Sequence, residues 1–372
     1  MIYLDNAATT AMLEGAVGVY QKYACQSFYN PSANYREAIE IAKGLQDVKL
    51  RLKQKLGASV GDVVFTSGAT ESNNLAIMGS KRNGKWEYVF SVGEHPSVYN
   101  VAKELELQGF KVHFVGLSPT GEVDYEMLES VVNDRTRLVS VMHVSNETGA
   151  INDIQRIVGI IKDKTQNAMV HVDGVQAFCK IPVDLDALGV DFYTISAHKF
   201  HGPKGVGALY VKNPKALKNI VFGGGQEGGL RSGTENVAGI MALDYVVENI
   251  NVDENYNKVM QLKRLAAEIL AEDENVDVLD VGSPYIISVG FKGVNGETLM
   301  RALQDYGIIV GMGSACSAKK SGNRILESMG YSKDAVKTRI RLSFNEFLTE
   351  QEVCEAANQI IKVYREIWEK VK

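Results

Sequence analysis

The sequence has no apolar run long enough to cross a membrane, no block of one charge sign and no closely spaced pair of cysteines. Runs such as Leu138 to Val141 fall far short of the roughly 18 residues a spanning helix needs. Lys and Arg number 40 against 45 Asp and Glu, a net charge of −5 with both signs interspersed. Such a surface holds neither nucleic acid nor an anionic membrane directly. Cys25, Cys179, Cys316 and Cys354 lie far apart without a C-x-x-C pair, so neither a disulfide framework nor a zinc site is expected. The start, Met1-Ile2-Tyr3-Leu4-Asp5-Asn6, lacks the basic region of a secretory signal. What these absences leave is small-molecule chemistry in the cytoplasm, with reduced thiols and no metal.

At 372 residues and 45% apolar composition the chain can bury a large core, and its length predicts two domains. Short apolar or β-branched runs recur at Val63 to Phe65, Tyr88 to Ser91, Val112 to Val115, Leu138 to Val144, Met169 to Val172, Phe192 to Ile195 and Gly207 to Val211. Helix-length segments separate several of them: Ser72 to Lys81, Val98 to Gln108 and Ile154 to Lys164. The alternation predicts an α/β domain with a mainly parallel sheet. After the polar stretch Asn249 to Asn257 a helical pattern, Tyr256 to Ala271, opens a second region. It reads as helix, strand (Tyr285 to Phe291), helix (Gly296 to Tyr306), strand (Ile308 to Val310), loop, helix, strand (Thr338 to Ser343) and a terminal helix from Thr349. The predicted division is 13–252 as the large domain, and 1–12 with 253–372 as a smaller α+β one.

Polar residues gather where the apolar runs stop: Thr66 to Thr70, Glu94-His95, Asn146-Glu147, Asp173 with Gln176, and Ser196 to Lys199. In an open α/β sheet, ligands bind beyond the carboxyl ends of the strands, so these groups are expected in one crevice. Lys199, in Ser196-Ala197-His198-Lys199 before a glycine-rich turn, can form a Schiff base. Asp173 can pair with a pyridinium nitrogen. Together they are the protein's half of pyridoxal phosphate (PLP) chemistry. The turn through Gly68 into a helix offers N–H groups to a phosphate, although an ordinary capped helix start reads the same way. His95 can stack on a cofactor ring and exchange protons, whereas His143, His171 and His201 read as structural. Arg341 alternates with apolar residues on a strand and suits a carboxylate clamp or a structural ion pair. Cys316 lies among Gly, Ser and Ala beside Lys319 and Lys320, a setting that favours a thiolate. The other three cysteines read as inert.

Taken together, the strings Leu4-Asp5-Asn6-Ala7-Ala8, Asn30-Pro31-Ser32, Phe65 to Leu75, Glu94-His95, Asn146-Glu147, His171-Val172-Asp173, Ser196 to Lys199, Gly223 to Glu227, Arg231 to Thr234 and Gly313 to Cys316 resemble the NifS/IscS-type cysteine desulfurases, within the fold type I (aspartate-aminotransferase-like) PLP enzymes. The resemblance implies Lys199 as the cofactor-bearing lysine, Asp173 on the ring nitrogen, and Asn146 and Gln176 near the ring hydroxyl. It implies Ala69, Thr70, Ser196 and His198 on the phosphate, and Thr234 on the phosphate of the neighbouring subunit of a homodimer. Arg341, with Asn146, would hold L-cysteine, and Cys316 would take its sulfur as a persulfide with help from His95, leaving L-alanine.

Three positions depart from the family pattern: Tyr35 stands for a common histidine, Ser145 for an asparagine, and Asn345-Glu346 for Gly-Arg. The segment after Cys316 and the C-terminal tail are short beside scaffold-serving relatives. The expected acceptor is therefore a tRNA-thiolation enzyme or a carrier protein, with an iron–sulfur scaffold as runner-up. An aminotransferase or a selenocysteine lyase would fit the same fold, and a non-catalytic binding protein would retain it without needing Lys199 or Cys316.

Overall fold

The computed structural model describes residues 1–312 and 323–372. Its strands are β1 (Ile2–Leu4), β2 (Asp62–Thr66), β3 (Glu87–Ser91), β4 (Lys111–Val115), β5 (Thr136–Met142), β6 (Met169–Asp173), β7 (Phe192–Ser196), β8 (Gly207–Val211), β9 (Val276–Leu279), β10 (Ile286–Phe291), β11 (Ile308–Val310) and β12 (Arg339–Ser343). One sheet has the order β2-β8-β7-β6-β5-β3-β4. From β7 to β4 it is parallel, while β8 runs antiparallel to both β2 and β7. Two reversals restore the direction, so β2, β3, β5, β6 and β7 all end at one edge.

Every residue of β3, β6, β7 and β8 is buried, the mark of a sheet covered on both faces. The covering helices follow from spacing. In Ile154–Lys164 the buried residues are Ile154, Ile157 and Ile161, on one face, and Asp153 caps the helix by accepting from the Arg156 N–H. A cap of this kind contributes about 1 kcal/mol, and each buried isoleucine about 1.5–3 kcal/mol.

A second buried cluster joins Val259, Leu262 and Ala266 of the helix Val252–Ala271 to Ile360 and Tyr364 of the helix Glu350–Val371, over the antiparallel sheet β12-β10-β9. Ile2 and Leu4 belong to it, because β1 pairs in parallel with β11. Ile325, Leu326 and Met329 pack instead into the core of the large sheet.

The structure amends the sequence reading in places. The polar stretch before Tyr256 is mostly helix, since Asn251 caps a first turn whose Asp253 and Glu254 suit its positive end. The run from Leu138 stops as a strand at Met142, where Asn152 takes the Met142 carbonyl and Val144 turns to bridge Ile151. β9, a short and partly exposed edge strand, was not anticipated. Thr349 is the cap of the last helix rather than its first residue, forming a reciprocal capping box with Glu352.

Candidate active site

Five strand ends converge on a cavity of about 640 Å³. Beyond β2 the chain turns at Gly68 (φ 153°), a conformation open to glycine, and enters the helix Ala69–Ser80 with no side-chain cap. β8 lies so close that a Cβ on Gly207 would sit 2.6 Å from the Gly68 Cα. The turn is thereby pressed onto the sheet with its first N–H groups left for a ligand. Ala69 and Thr70 line the cavity here, as do Ser196 and His198 at the end of β7. His198 Nδ1 lies 3.1 Å from Thr9 Oγ1. Burial, and then the charge of Lys199, pushes His198 down to about 4, so it meets a ligand as a neutral imidazole.

Lys199 follows in a single 3₁₀ turn, Ala197–Lys199. Its Nζ donates to the carbonyls of Ala7 (2.9 Å) and Ala8 (2.7 Å). Burial, followed by Arg341, lowers it to about 8 despite the opposing pull of Asp173 and Asp5. A neutral amine has two N–H bonds and one lone pair; with both hydrogens on carbonyls, the lone pair is free for an electrophile. At the end of β6, Asp173 Oδ1 accepts from the Val175 N–H (3.1 Å) and Oδ2 from Asn73 Nδ2 (2.9 Å). Gln176 donates to the Ala7 carbonyl at 2.9 Å and accepts from Lys180 at 2.8 Å.

His95 caps the helix Pro96–Leu107 at the end of β3, its Nδ1 accepting from the Ser97 N–H. Asn146 stands on a turn built by Ser145, whose Oγ accepts from Glu147 N and Thr148 N. The Asn146 Oδ1 is buried and has no partner among the described residues. Arg341, on β12, donates to the Asn146 carbonyl and to Asp5 Oδ1, both at 2.6 Å, while its Nε has no partner among the described residues. Glu94, fully buried at the same edge, is raised well above the usual carboxylate range by burial and then by Asp173.

Ten of the expected site residues thus line one cavity: Ala69, Thr70, His95, Asn146, Asp173, Gln176, Ser196, His198, Lys199 and Arg341. Thr234 is exposed and lies outside that lining. Cys316 lies outside the described residues, with Lys319 and Lys320. His143 and His171 are buried on Tyr193, Ser140 and Thr194. Of the departures, Tyr35 is exposed, edge-on to Tyr29, Asn345 bonds Asn6, and Glu346 faces His201 at 3.5 Å.

Sequence reasoning missed Asn73, which binds Asp173, and Arg324, whose guanidinium donates to the Val92 and Glu94 carbonyls over the Tyr99 ring. Asn73 stands four residues after Ala69, on the same helix face, and that spacing was the available signal. An amine with a free lone pair, a carboxylate fixed by two donors, an uncapped helix start and an orphaned amide oxygen form a donor set that fits PLP.

The chain matches the aminotransferase class-V family over residues 2–355. It is 34% identical over 381 residues to a cysteine desulfurase of Nostoc sp., covering 100% of this chain and 94% of that one. A solved NifS-like protein superposes with a TM-score of 0.91 at 32% identity, covering 98% of this chain and 99% of the other. SspA, solved in complex with cysteine, gives 0.83 at 30% identity, covering 94% and 100%.

Proposed function

We infer that this chain, which belongs to the class-V aminotransferase family, is a PLP-dependent cysteine desulfurase that converts L-cysteine to L-alanine and takes the sulfur onto Cys316 as a persulfide. The observation that carries the reading is Lys199, an amine lowered to about 8 and held on two carbonyls in the cavity that Asp173 and His95 also line. The bound cofactor supplies an electron sink for the substrate carbon. The chain's residues do the rest. Asp173, fixed by Asn73 and the Val175 N–H, would pair with the pyridine nitrogen, and Gln176 and Asn146 would hold the ring hydroxyl. Ala69, Thr70, Ser196 and His198 receive the phosphate. Lys199 takes the α-proton at Nζ, while Arg341 and Asn146 orient the substrate carboxylate. Cys316, as thiolate, attacks the substrate sulfur, an S–S bond forming as the substrate C–S bond breaks, and one proton delivered to the β-carbon and another returned to the α-carbon complete alanine.

The test is holoenzyme exposed to L-cysteine and read by peptide mass spectrometry. Added sulfur on the Cys316 peptide, with alanine released, is the expected result. Cys316→Ser should keep PLP and its spectral response to cysteine yet make almost no alanine. Unchanged turnover in that variant would move the enzyme to the aminotransferase or selenocysteine-lyase reading.

The working enzyme is a homodimer in which Thr234 reaches the partner's phosphate. Support comes from its exposure outside this cavity and from the apolar rings of Phe28 and Phe222, 66% and 80% exposed. Residues 13–252 act as the cofactor-binding domain and 1–12 with 253–372 as the smaller one, a division the two principal buried clusters support except at Ile325, Leu326, Met329 and Val336, which belong to the larger cluster. Among the described residues no helix is long and apolar enough to cross a membrane, and a cytoplasmic location suits a Cys316 that must stay a reduced thiol between turnovers. The sulfur goes to an acceptor protein, a tRNA-thiolation enzyme or carrier before an iron–sulfur scaffold. The basic pair Lys319-Lys320 beside Cys316 suits an acidic docking surface. Lys319→Glu/Lys320→Glu should impair delivery more than persulfide formation; equal losses would contradict docking there.

A further inference from the structure

Three hydrogen bonds, two buried and the last part-buried, run from Asp173 to His95. Asn73 Nδ2 donates one hydrogen to Asp173 Oδ2 and the other to Ser97 Oγ, each at 2.9 Å. The opposite amide orientation would set a carbonyl oxygen against the carboxylate, so the direction of this link is determined. Its amide hydrogens are then spent. Ser97 Oγ, accepting from Asn73, is left to give its own proton to His95 Nδ1 at 2.8 Å. The backbone N–H of Ser97, which can only donate, points at the same nitrogen from 3.2 Å. With Nδ1 an acceptor twice over, neutral His95 must carry its proton on Nε2.

We propose that Ser97, set by Asn73, is a positioning residue that fixes His95 as the Nε2–H tautomer, so that His95 serves the reaction as a hydrogen-bond donor to the cavity and not as the base for the attacking thiol. To act as a base at Nε2, the ring would have to put its proton on Nδ1, against the Ser97 N–H. The charged groups around His95 do not remove that obstacle. Asp173 on β6 and Glu147 after β5 favour the imidazolium, Lys199 and Arg324 oppose it, and burial outweighs them in the direction of the neutral ring. The inference rests on the desulfurase reading for its catalytic meaning, but the tautomer itself does not.

The experiment is ¹⁵N-histidine NMR of the cofactor-free protein, followed by turnover with L-cysteine after PLP loading. In the parent protein His95 should give an unprotonated Nδ1 and a protonated Nε2. Ser97→Ala should raise the population of the other tautomer and move the protonation midpoint of His95 upward, because a donor to the neutral ring is gone. It should lower kcat about fivefold with little change in KM, the worth of one neutral hydrogen bond. Ser97→Thr, which keeps the hydroxyl, should restore all three. A parent His95 protonated on Nδ1 overturns the proposal whatever the enzyme's activity. So does a Ser97→Ala protein with unchanged tautomer and midpoint, which would leave Ser97 only a helix residue. A correct tautomer in a protein that releases no alanine from cysteine would instead count against the desulfurase reading.

Discussion

Two lysines flank Gln176, Lys180 buried and Lys199 half-buried, and their differences separate a reactive amine from a structural one. Lys199 borders the cavity and is lowered to about 8. Lys180 is sealed behind it and lowered to about 7, by burial and then by the charge of Lys199. Desolvation acts on both, so a depressed amine alone does not mark the site. What distinguishes them is the company of the nitrogen. Lys199 rests on two backbone carbonyls at the edge of open space, whereas Lys180 bonds the Gln176 side chain and lies over the Tyr285 ring. Near it Glu346, although burial raises it, is held below the usual carboxylate range by His201.

The largest expected effect breaks this comparison directly. Lys199→Ala should lower kcat by about three orders of magnitude or more, since it removes the amine that borders the cavity on the Ala7 and Ala8 carbonyls. Lys180→Met, which deletes only the anchor of Gln176, should stay within about tenfold of the parent. Steady-state assays of the two loaded variants decide it, and equal losses would erase the distinction.

Arg341→Ala comes next. A charge-assisted bidentate contact is worth about 1.5–3 kcal/mol, so cysteine binding should weaken by one to two orders of magnitude, read as KM, with PLP content unchanged. Equal loss of cofactor would make Arg341 the structural partner of Asp5 and the Asn146 carbonyl.

A smaller effect follows from the protonation of Lys199. Cofactor capture by the cofactor-free protein should speed up as pH rises through about 8, where the amine loses its proton, and then level off. Stopped-flow mixing with PLP reads this directly, and a rate that falls with pH would contradict it.

The smallest expected effect is on stability. Burial lowers His171 to about 3 from 6.5, so the unfolded chain takes up a proton that the folded one refuses. The stability this residue contributes is complete above 6.5 and lost as pH falls toward 3. Replacing it, as in His171→Asn, should lower Tm overall yet reduce the further loss of Tm on acidification. An unchanged acid slope would contradict this account.

Which parts of this arrangement were legible in the sequence depends on the distance over which each contact closes. Asp173 ends, and Lys199 and His95 follow, a strand buried on both faces, and such strands stand out as apolar runs whose ends mark the ligand edge. Asn73 had no such signal, because its partner Asp173 lies 100 residues away. The ion pair of Arg341 with Asp5 closes over 336 residues, so the strand pattern indicated a useful arginine without its resting partner. β9 was missed because Val276-Asp277-Val278-Leu279 is too short to announce an alternation.

The central claim is that Lys199 carries the cofactor and Lys180 does not. Borohydride reduction of the PLP-loaded enzyme, followed by peptide mapping, tests it most directly. Pyridoxyl phosphate fixed to the Lys199 peptide alone is the predicted result; label on Lys180, or on any other lysine in place of Lys199, would contradict it.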